Sequence, residues 1–138
     1  MALRTVYRLL LTMLIFVLNA CAGKSAGPVN VDVALTDFGF ESSLTSFQVG
    51  TPYHFVVTNK GNVPHEIMIM KPVEAGMMDM EEMDAMALAH IEGEDLPVGA
   101  TATMDYTFTE PAQLGALEFA CHIEGHYEQG MKLPIEVK

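Results

Sequence analysis

The sequence predicts an all-β sandwich or barrel that is interrupted by one short helical segment. Apolar and polar residues alternate with a period of two in several segments, and turn-forming Gly, Pro and Asn residues separate these segments. No helical pattern alternates with the strands, which argues against a parallel α/β fold. The predicted strands lie at 31–38, 53–58, 103–108, 117–121 and 133–137, with shorter ones at 46–49 and 66–70. About seven short strands in a chain of 138 residues fit one sandwich domain.

The first 20 residues predict an export signal. Arg4 and Arg8 precede an apolar run at 9–18, which is too short to cross a bilayer comfortably. The residues at 18–21, Leu-Asn-Ala-Cys, resemble the lipobox of bacterial lipoproteins, which implies acylation of Cys21. We therefore expect an exported protein with a lipid anchor in the cell membrane, on its periplasmic or extracellular side. The alternative is an ordinary signal peptide with an incidental cysteine.

The remaining chain divides into a short tether and an acidic domain. Small and flexible residues at 21–30 predict the tether, and the domain occupies 31–138. The chain has seven basic and 18 acidic residues, which gives a net charge of −11, and both arginines lie within the export signal. Such a charge argues against nucleic acid as a partner. Two cysteines are too few for a disulfide scaffold.

One loop near the C-terminus carries a set of metal-binding residue types. Cys121, His126 and Met131 follow one another with four residues between each, after one predicted strand and before the last. His65 offers a second imidazole after the strand at 53–58. Two imidazoles, a thiolate and a thioether suit a mononuclear copper site for electron transfer, because they accept both copper oxidation states. Structural zinc is less suited, since it seldom uses methionine.

These residues resemble the cupredoxin family of small blue copper proteins. The resemblance is carried by Asn-Lys-Gly-Asn-Val-Pro-His-Glu at 59–66 and by the spacing of Cys121, His126 and Met131. This spacing is closer to the rusticyanin, sulfocyanin and auracyanin types than to plant plastocyanins. It implies a Greek-key β-sandwich and one type 1 copper. It also implies that His65, Cys121 and His126 are the strong equatorial ligands and that Met131 is the weak axial one.

Glu66 and His122 each lie directly beside an implied ligand and depart from the family pattern. Glu66 stands where family members often have Asn or Ser, which joins the two ligand loops by hydrogen bonds. An ionised Glu66 near copper would favour Cu(II) and lower the midpoint potential, whereas a solvent-facing Glu66 would not. His122 follows Cys121 directly, so strand alternation predicts that it faces away from the copper, at the surface or packed behind the ligands. The alternative is that His122 is itself a ligand. His54 lies in a predicted strand and is expected to be a partly buried structural residue.

A methionine-rich insertion at about 73–92 interrupts the strands and predicts a helix of about three turns. Its methionines surround the helix axis, so no clean buried face is predicted. Three interpretations stay open: a flap packed over the sandwich, a docking surface for a partner protein, or an auxiliary Cu(I) site built from thioethers, with His90 as a further ligand. The methionines of that site would be Met77, Met78, Met80, Met83 and Met86.

The function expected from the sequence is that of a membrane-anchored single-electron carrier, not an enzyme. Copper would cycle between Cu(I) and Cu(II), with no small-molecule substrate. The acidic surface would steer a cationic redox partner such as a c-type cytochrome or a terminal oxidase. The alternative, which the methionine-rich insertion favours, is an extracytoplasmic copper-binding protein for copper delivery, storage or resistance.

Overall fold

The computed structural model describes residues 27–73 and 77–138, and these ranges contain nine strands and one short helix. The export signal, Cys21 and most of the predicted tether lie outside the described residues. In chain order the elements are β1 (Val29–Thr36), β2 (Gly39–Ser42), β3 (Ser46–Phe47), β4 (Pro52–Asn59), β5 (Ile67–Met70), α1 (Met80–Met86), β6 (Ala89–Ile91), β7 (Thr101–Thr107), β8 (Ala112–Ala120) and β9 (Lys132–Val137).

The strands form two mixed sheets. One has the order β2-β1-β4-β7 and the other the order β3-β9-β8-β5-β6. The pairs β1–β4 and β3–β9 are parallel, and the other pairs are antiparallel. The predicted all-β class with a short helical insertion is therefore confirmed.

A cluster of aromatic rings fills the core. Phe47 is fully buried, and its ring lies 5.0 Å from the rings of both Tyr53 and Phe108, measured between centroids. Burial alternates along β4, as expected for a strand with one face on the core. The same core cluster extends to Cys121 and Met131, which are both fully buried. The candidate metal ligands thus belong to one end of the packed core.

The strand predicted at 31–38 ends two residues earlier in the structure, and a second strand that was not predicted follows it. β1 ends at Thr36, and the chain reverses so that Thr36 pairs with Gly39 at the start of β2. The hydroxyl of Thr36 donates a hydrogen bond to the carbonyl of Gly39 at 3.2 Å, which closes the turn. β6 was also not predicted, so nine strands replace the expected seven or so.

The helix is shorter than predicted. Asp79 accepts a hydrogen bond from the backbone N–H of Glu82, and the Glu82 carboxylate accepts one from the N–H of Asp79, so a capping box fixes the start of α1. The backbone N–H of Leu88 donates to the carbonyl of Ile69 at 2.7 Å, and β6 then pairs with β5. Sheet pairing therefore ends the helix after seven residues. No helix among the described residues is long and apolar enough to span a membrane.

Candidate metal centre

The first ligand loop joins β4 to β5 and is braced by a buried asparagine. Asn59 is 1% exposed, and its side-chain amide donates hydrogen bonds of 2.8 Å to the carbonyls of Val63 and Leu96. Its side-chain oxygen accepts from the N–H of Gly61 at 2.8 Å. The backbone N–H of His65 also donates to Leu96, at 3.3 Å. These bonds hold His65 at a fixed place at the end of the sandwich.

The second ligand loop joins β8 to β9 and is tied together by its own backbone. The N–H of Cys121 donates to the carbonyl of Met131 at 3.2 Å, and the N–H of Met131 donates to the carbonyl of His126 at 3.1 Å. Gly125 and Gly130 adopt positive φ angles of 82° and 100°, which residues with a side chain rarely adopt. The loop is therefore compact, with both of its ends on adjacent strands.

The two loops bring His65, Cys121 and His126 together. The Nδ1 atoms of His65 and His126 are 3.3 Å apart, and the Cys121 sulfur lies 3.4 Å from Nδ1 of His126. The three donor atoms all lie within 4.8 Å of one another. Ligand atoms bound to one metal at roughly 2.0–2.3 Å are about 3.3–3.7 Å apart, so the arrangement needs little movement to hold an ion. The donor set and its spacing therefore fit a metal ion with a preference for nitrogen and thiolate.

The protonation states of these groups follow from burial. Burial, and to a lesser degree the neighbouring His126, lower the pKa of His65, so its imidazole is favoured in the neutral form that binds metals. Burial raises the pKa of the Cys121 thiol to about 11. In the metal-free protein Cys121 is therefore a thiol at neutral pH, and metal binding must displace its proton.

Asp37 orients His65 from the side opposite the other ligands. Its carboxylate accepts hydrogen bonds from the side-chain amide of Asn62 at 2.6 Å and from the Asn62 backbone N–H at 2.5 Å, and these bonds lower its pKa. Its Oδ1 lies 3.5 Å from Nε2 of the buried His65, at the limit of hydrogen bonding, so the contact is mainly electrostatic. The proton of His65 is thereby favoured on Nε2, which leaves Nδ1 free as a ligand.

Glu66 points inward and joins the two ligand loops. It is 3% exposed, and its Oε1 accepts a hydrogen bond from the backbone N–H of His122 at 2.7 Å. Burial raises the pKa of Glu66, partly offset by that hydrogen bond and reinforced by the charges of Asp84 and Glu92. Of the two orientations left open by the sequence, the solvent-facing one is wrong. Glu66 makes the bridge that Asn or Ser makes in the pattern described above.

His122 lies outside the group of converging donors, as strand alternation predicts. Its side chain is 9% exposed, and its ring stacks on Tyr127 with centroids 4.4 Å apart. The ammonium of Lys132 lies 4.2 Å from the centroid of the same tyrosine ring. His54 does not belong to this group of donors either. Its side chain is one-third exposed, and its Nδ1 lies 2.6 Å from Oδ1 of Asp105.

The candidate axial ligand, Met131, is fully buried at the end of the second loop. Its backbone forms hydrogen bonds with Cys121 and His126, and its side chain belongs to the same core cluster as Cys121. Sequence reasoning assigned no role in the site to Asn59 or Asp37, although both brace it. Asn59 is part of the motif at 59–66 that carries the family resemblance, but it was assigned only to a turn, and Asp37 was assigned to a predicted strand.

The methionine-rich insertion packs against the second sheet. Met83 is buried against Met68 and Met70 of β5, in a small cluster separate from the main core. Met78, Met80 and Met83 line one surface cavity together with His122. Met77 and Met86 are 71% and 48% exposed and do not line that cavity. The five methionines thus do not form one group, although three of them share a cavity.

Two curated relatives are copper proteins by name. The chain is 30% identical over 112 residues to the copper-resistant cuproprotein CopI of Rubrivivax gelatinosus, covering 80% of this chain and 66% of that protein. It is 26% identical over 133 residues to the protein of the same name from Pseudomonas aeruginosa, covering 74% and 72%. The chain thus spans about two thirds of the length of the Rubrivivax relative. No protein-family model matches the chain.

Solved structures share the fold over most of the chain. Reduced auracyanin from Roseiflexus castenholzii superposes with a TM-score of 0.61 at 21% identity, covering 82% of this chain and 99% of that one. Reduced rusticyanin superposes with a TM-score of 0.58 at 25% identity, covering 83% and 81%. Because this shared fold places two imidazoles and a thiol where they fit one copper ion, the chain is a member of the cupredoxin family.

Proposed function

We propose that this cupredoxin is a membrane-anchored single-electron carrier, with His65, Cys121 and His126 as strong copper ligands and Met131 as the weak axial one. The observation that carries the proposal is the convergence of two Nδ1 atoms and one sulfur within 4.8 Å, on loops anchored to strands. When bound, copper supplies a one-electron couple between Cu(I) and Cu(II). No substrate is transformed, so we expect no enzymatic activity.

The protein contributes a ligand frame that resists rearrangement. Asn59 fixes the first loop, the backbone bonds of Cys121 and Met131 fix the second, and Glu66 joins the two. Since both oxidation states must use this frame, a rigid frame keeps the reorganisation energy small. His65 and Cys121 are fully buried, which excludes water from most of the site.

Electrons would enter and leave at His126, which is partly exposed while His65 and Cys121 are buried. Exposed apolar side chains lie on the neighbouring loops: Phe38 follows Asp37, and Val63 precedes His65 by two residues. A redox partner such as a c-type cytochrome or a terminal oxidase could bind this edge through its own apolar patch. The acidic surface would speed the encounter with a cationic partner.

Titration with Cu(II) tests the copper site. We expect one equivalent to produce an intense thiolate-to-copper absorption band that bleaches on reduction and returns on oxidation. Cys121→Ser should lose the band. His54→Asn should retain it, because His54 is partly exposed and pairs with Asp105, away from the group of candidate ligands. A wild-type protein without the band would contradict the proposal.

Electron exchange with a c-type cytochrome tests the carrier role. We expect the bimolecular rate constant to fall as ionic strength rises, because salt screens the attraction between opposite charges. A rate that does not change with salt would contradict electrostatic steering. A reduced copper protein that cannot pass its electron to any such acceptor would contradict the carrier role itself.

The lipid anchor is part of this proposal and rests on the sequence at 18–21. Cys21→Ala should move the protein from the membrane fraction to the soluble extract and abolish incorporation of labelled palmitate. Palmitate incorporation that persists in this variant would place the modification elsewhere. Export to the periplasmic or extracellular side follows from the same N-terminal segment.

Copper delivery, storage or resistance is the second candidate function. Two observations favour it: the relatives are named copper-resistant cuproproteins, and thioethers of Met78, Met80 and Met83 line one cavity. Thioethers select Cu(I), so this cavity could hold a second, reduced copper ion. It would be the auxiliary site expected from the sequence, reduced to three of the five methionines.

Competition with a Cu(I) chelator distinguishes the two functions. Replacing Met78, Met80 and Met83 together with leucine should remove one Cu(I) equivalent if the cavity stores copper. The matched control replaces the exposed Met77 and Met86 with leucine, which should leave the stoichiometry unchanged. One Cu(I) equivalent in all three proteins would contradict storage in this cavity.

A further inference from the structure

A second group of metal-binding side chains lies where α1 approaches the edge strand β6. Asp84 belongs to α1, His90 is the middle residue of β6, and Glu92 follows that strand. One donor atom from each of the three lies within 4.8 Å of the others. His90 and Glu92 are two residues apart, so their side chains project from the same face.

The negative charge of this group has little compensation. Nε2 of His90 lies 3.1 Å from Oε1 of Glu92. Asp84 forms no ion pair within the described ranges. Oδ1 of Asp84 is buried and finds no hydrogen-bond donor among the described residues. A buried carboxylate oxygen without a partner is costly, and a bound cation would remove that cost.

Packing holds the three residues in place independently of any metal. Met83, the residue before Asp84, is buried against Met68 and Met70. Met68 pairs directly with His90 in the sheet, so the helix and the edge strand are fixed to the same element. The capping box at Asp79 sets where the helix begins and hence which face Asp84 occupies.

We propose that Asp84, His90 and Glu92 form a second metal site, which binds a divalent ion of the Cu²⁺ or Zn²⁺ type. One imidazole and two carboxylates suit these ions, and the absence of sulfur from the group separates it chemically from the Cys121 site. Three protein ligands leave a position for water. The outermost donor atoms would move together by about 1 Å, which side-chain rotation allows. The proposal holds whether or not the chain is an electron carrier.

The test uses Cu²⁺ as the probe on protein that already holds one copper equivalent. A second equivalent should give an additional electron paramagnetic resonance signal with the wide parallel hyperfine splitting of nitrogen and oxygen ligands. The thiolate absorption band should not change. This band reports the first site, so loss of the band and loss of the second signal are separate results.

Three variants decide whether the second signal comes from this group. His90→Asn and Glu92→Gln should each weaken the second binding step by at least about tenfold. His54→Asn is the matched control, because His54 pairs with Asp105 at 2.6 Å but has no third donor in a described cluster. The thiolate band and the far-ultraviolet circular dichroism of each variant report correct folding.

The outcomes separate clearly. A second binding step that is weakened in both cluster variants and unchanged in His54→Asn supports the site. The proposal is overturned if no second equivalent binds, if the two cluster variants bind it as tightly as the wild-type protein does, or if His54→Asn weakens binding as much as His90→Asn does. A second signal in protein that lacks the thiolate band would support this site while contradicting the proposed electron carrier.

Discussion

Replacing Glu66 with alanine should destabilise the metal-free protein much more than replacing it with glutamine. Glu66 is 3% exposed, and its Oε1 accepts the backbone N–H of His122 at 2.7 Å. Glutamine keeps a carbonyl oxygen in nearly the same place, whereas alanine leaves the N–H buried without an acceptor. The two variants therefore differ in the hydrogen bond and in packing, since both remove the carboxylate.

The expected difference follows from the size of these two contributions. An unsatisfied buried N–H costs about 1–3 kcal/mol. The lost side-chain methylene packing adds about 1 kcal/mol. Both variants relieve the unfavourable burial of the carboxylate and its repulsion by Asp84 and Glu92, so these effects cancel in the comparison. The free energy of unfolding of the Glu66→Ala variant should thus be about 2–4 kcal/mol lower than that of the Glu66→Gln variant.

Urea unfolding of the two metal-free variants measures this difference, with equal m-values as the check that both unfold in the same way. The copper-loaded variants add a second measurement. Because Glu66 joins the two ligand loops, the thiolate band should shift or broaden in the alanine variant and stay close to the wild-type band in the glutamine variant. Free energies of unfolding that agree within about 0.5 kcal/mol would refute the bridging role.

Three further predictions concern the ligand frame and the core. Gly61→Ala should weaken copper binding and change the thiolate band, because the added Cβ would lie 2.5 Å from Nε2 of His65. The control is Gly39→Ala, which should bind copper normally because the nearest atom to its added Cβ would be 3.9 Å away. Phe47→Ala should destabilise the protein by about 3–5 kcal/mol in urea unfolding, because it removes a fully buried ring from the aromatic core; a loss below about 1 kcal/mol would contradict this packing. Copper removal should lower the melting temperature of the wild-type protein, since copper binds the folded state, and a Cys121→Ser protein should show a much smaller effect of added Cu(II).

Much of the site could be predicted because its strongest signals are local in sequence. Cys121, His126 and Met131 lie on one loop, so their spacing alone indicates a set of ligands. The period-two alternation likewise predicts strands wherever one face is buried. Even where a prediction was wrong, as at 31–38, the pattern was correct and only the turn at Asp37 was missed.

The supports of the site could not be predicted because their partners are far apart in the chain. Asn59 bonds to Leu96 across 37 residues, and Glu66 bonds to His122 across 56. Each contact exists only because the order of the strands brings two loops to the same end of the sandwich. The sequence around each residue does not indicate such a contact. A glutamate that follows a histidine is equally compatible with a buried and with a solvent-exposed side chain.

The sequence by itself thus determined the all-β class, the chemistry of the donor set and the acidic character of the domain, because periodicity, residue type and charge are properties of the chain. The tertiary structure decided the inward direction of Glu66, the three methionines that share a cavity and the grouping of Asp84 with His90 and Glu92. These depend on where α1 ends and on how β5 pairs with β6. Both are settled by packing and hydrogen bonds between distant segments, which no local pattern encodes.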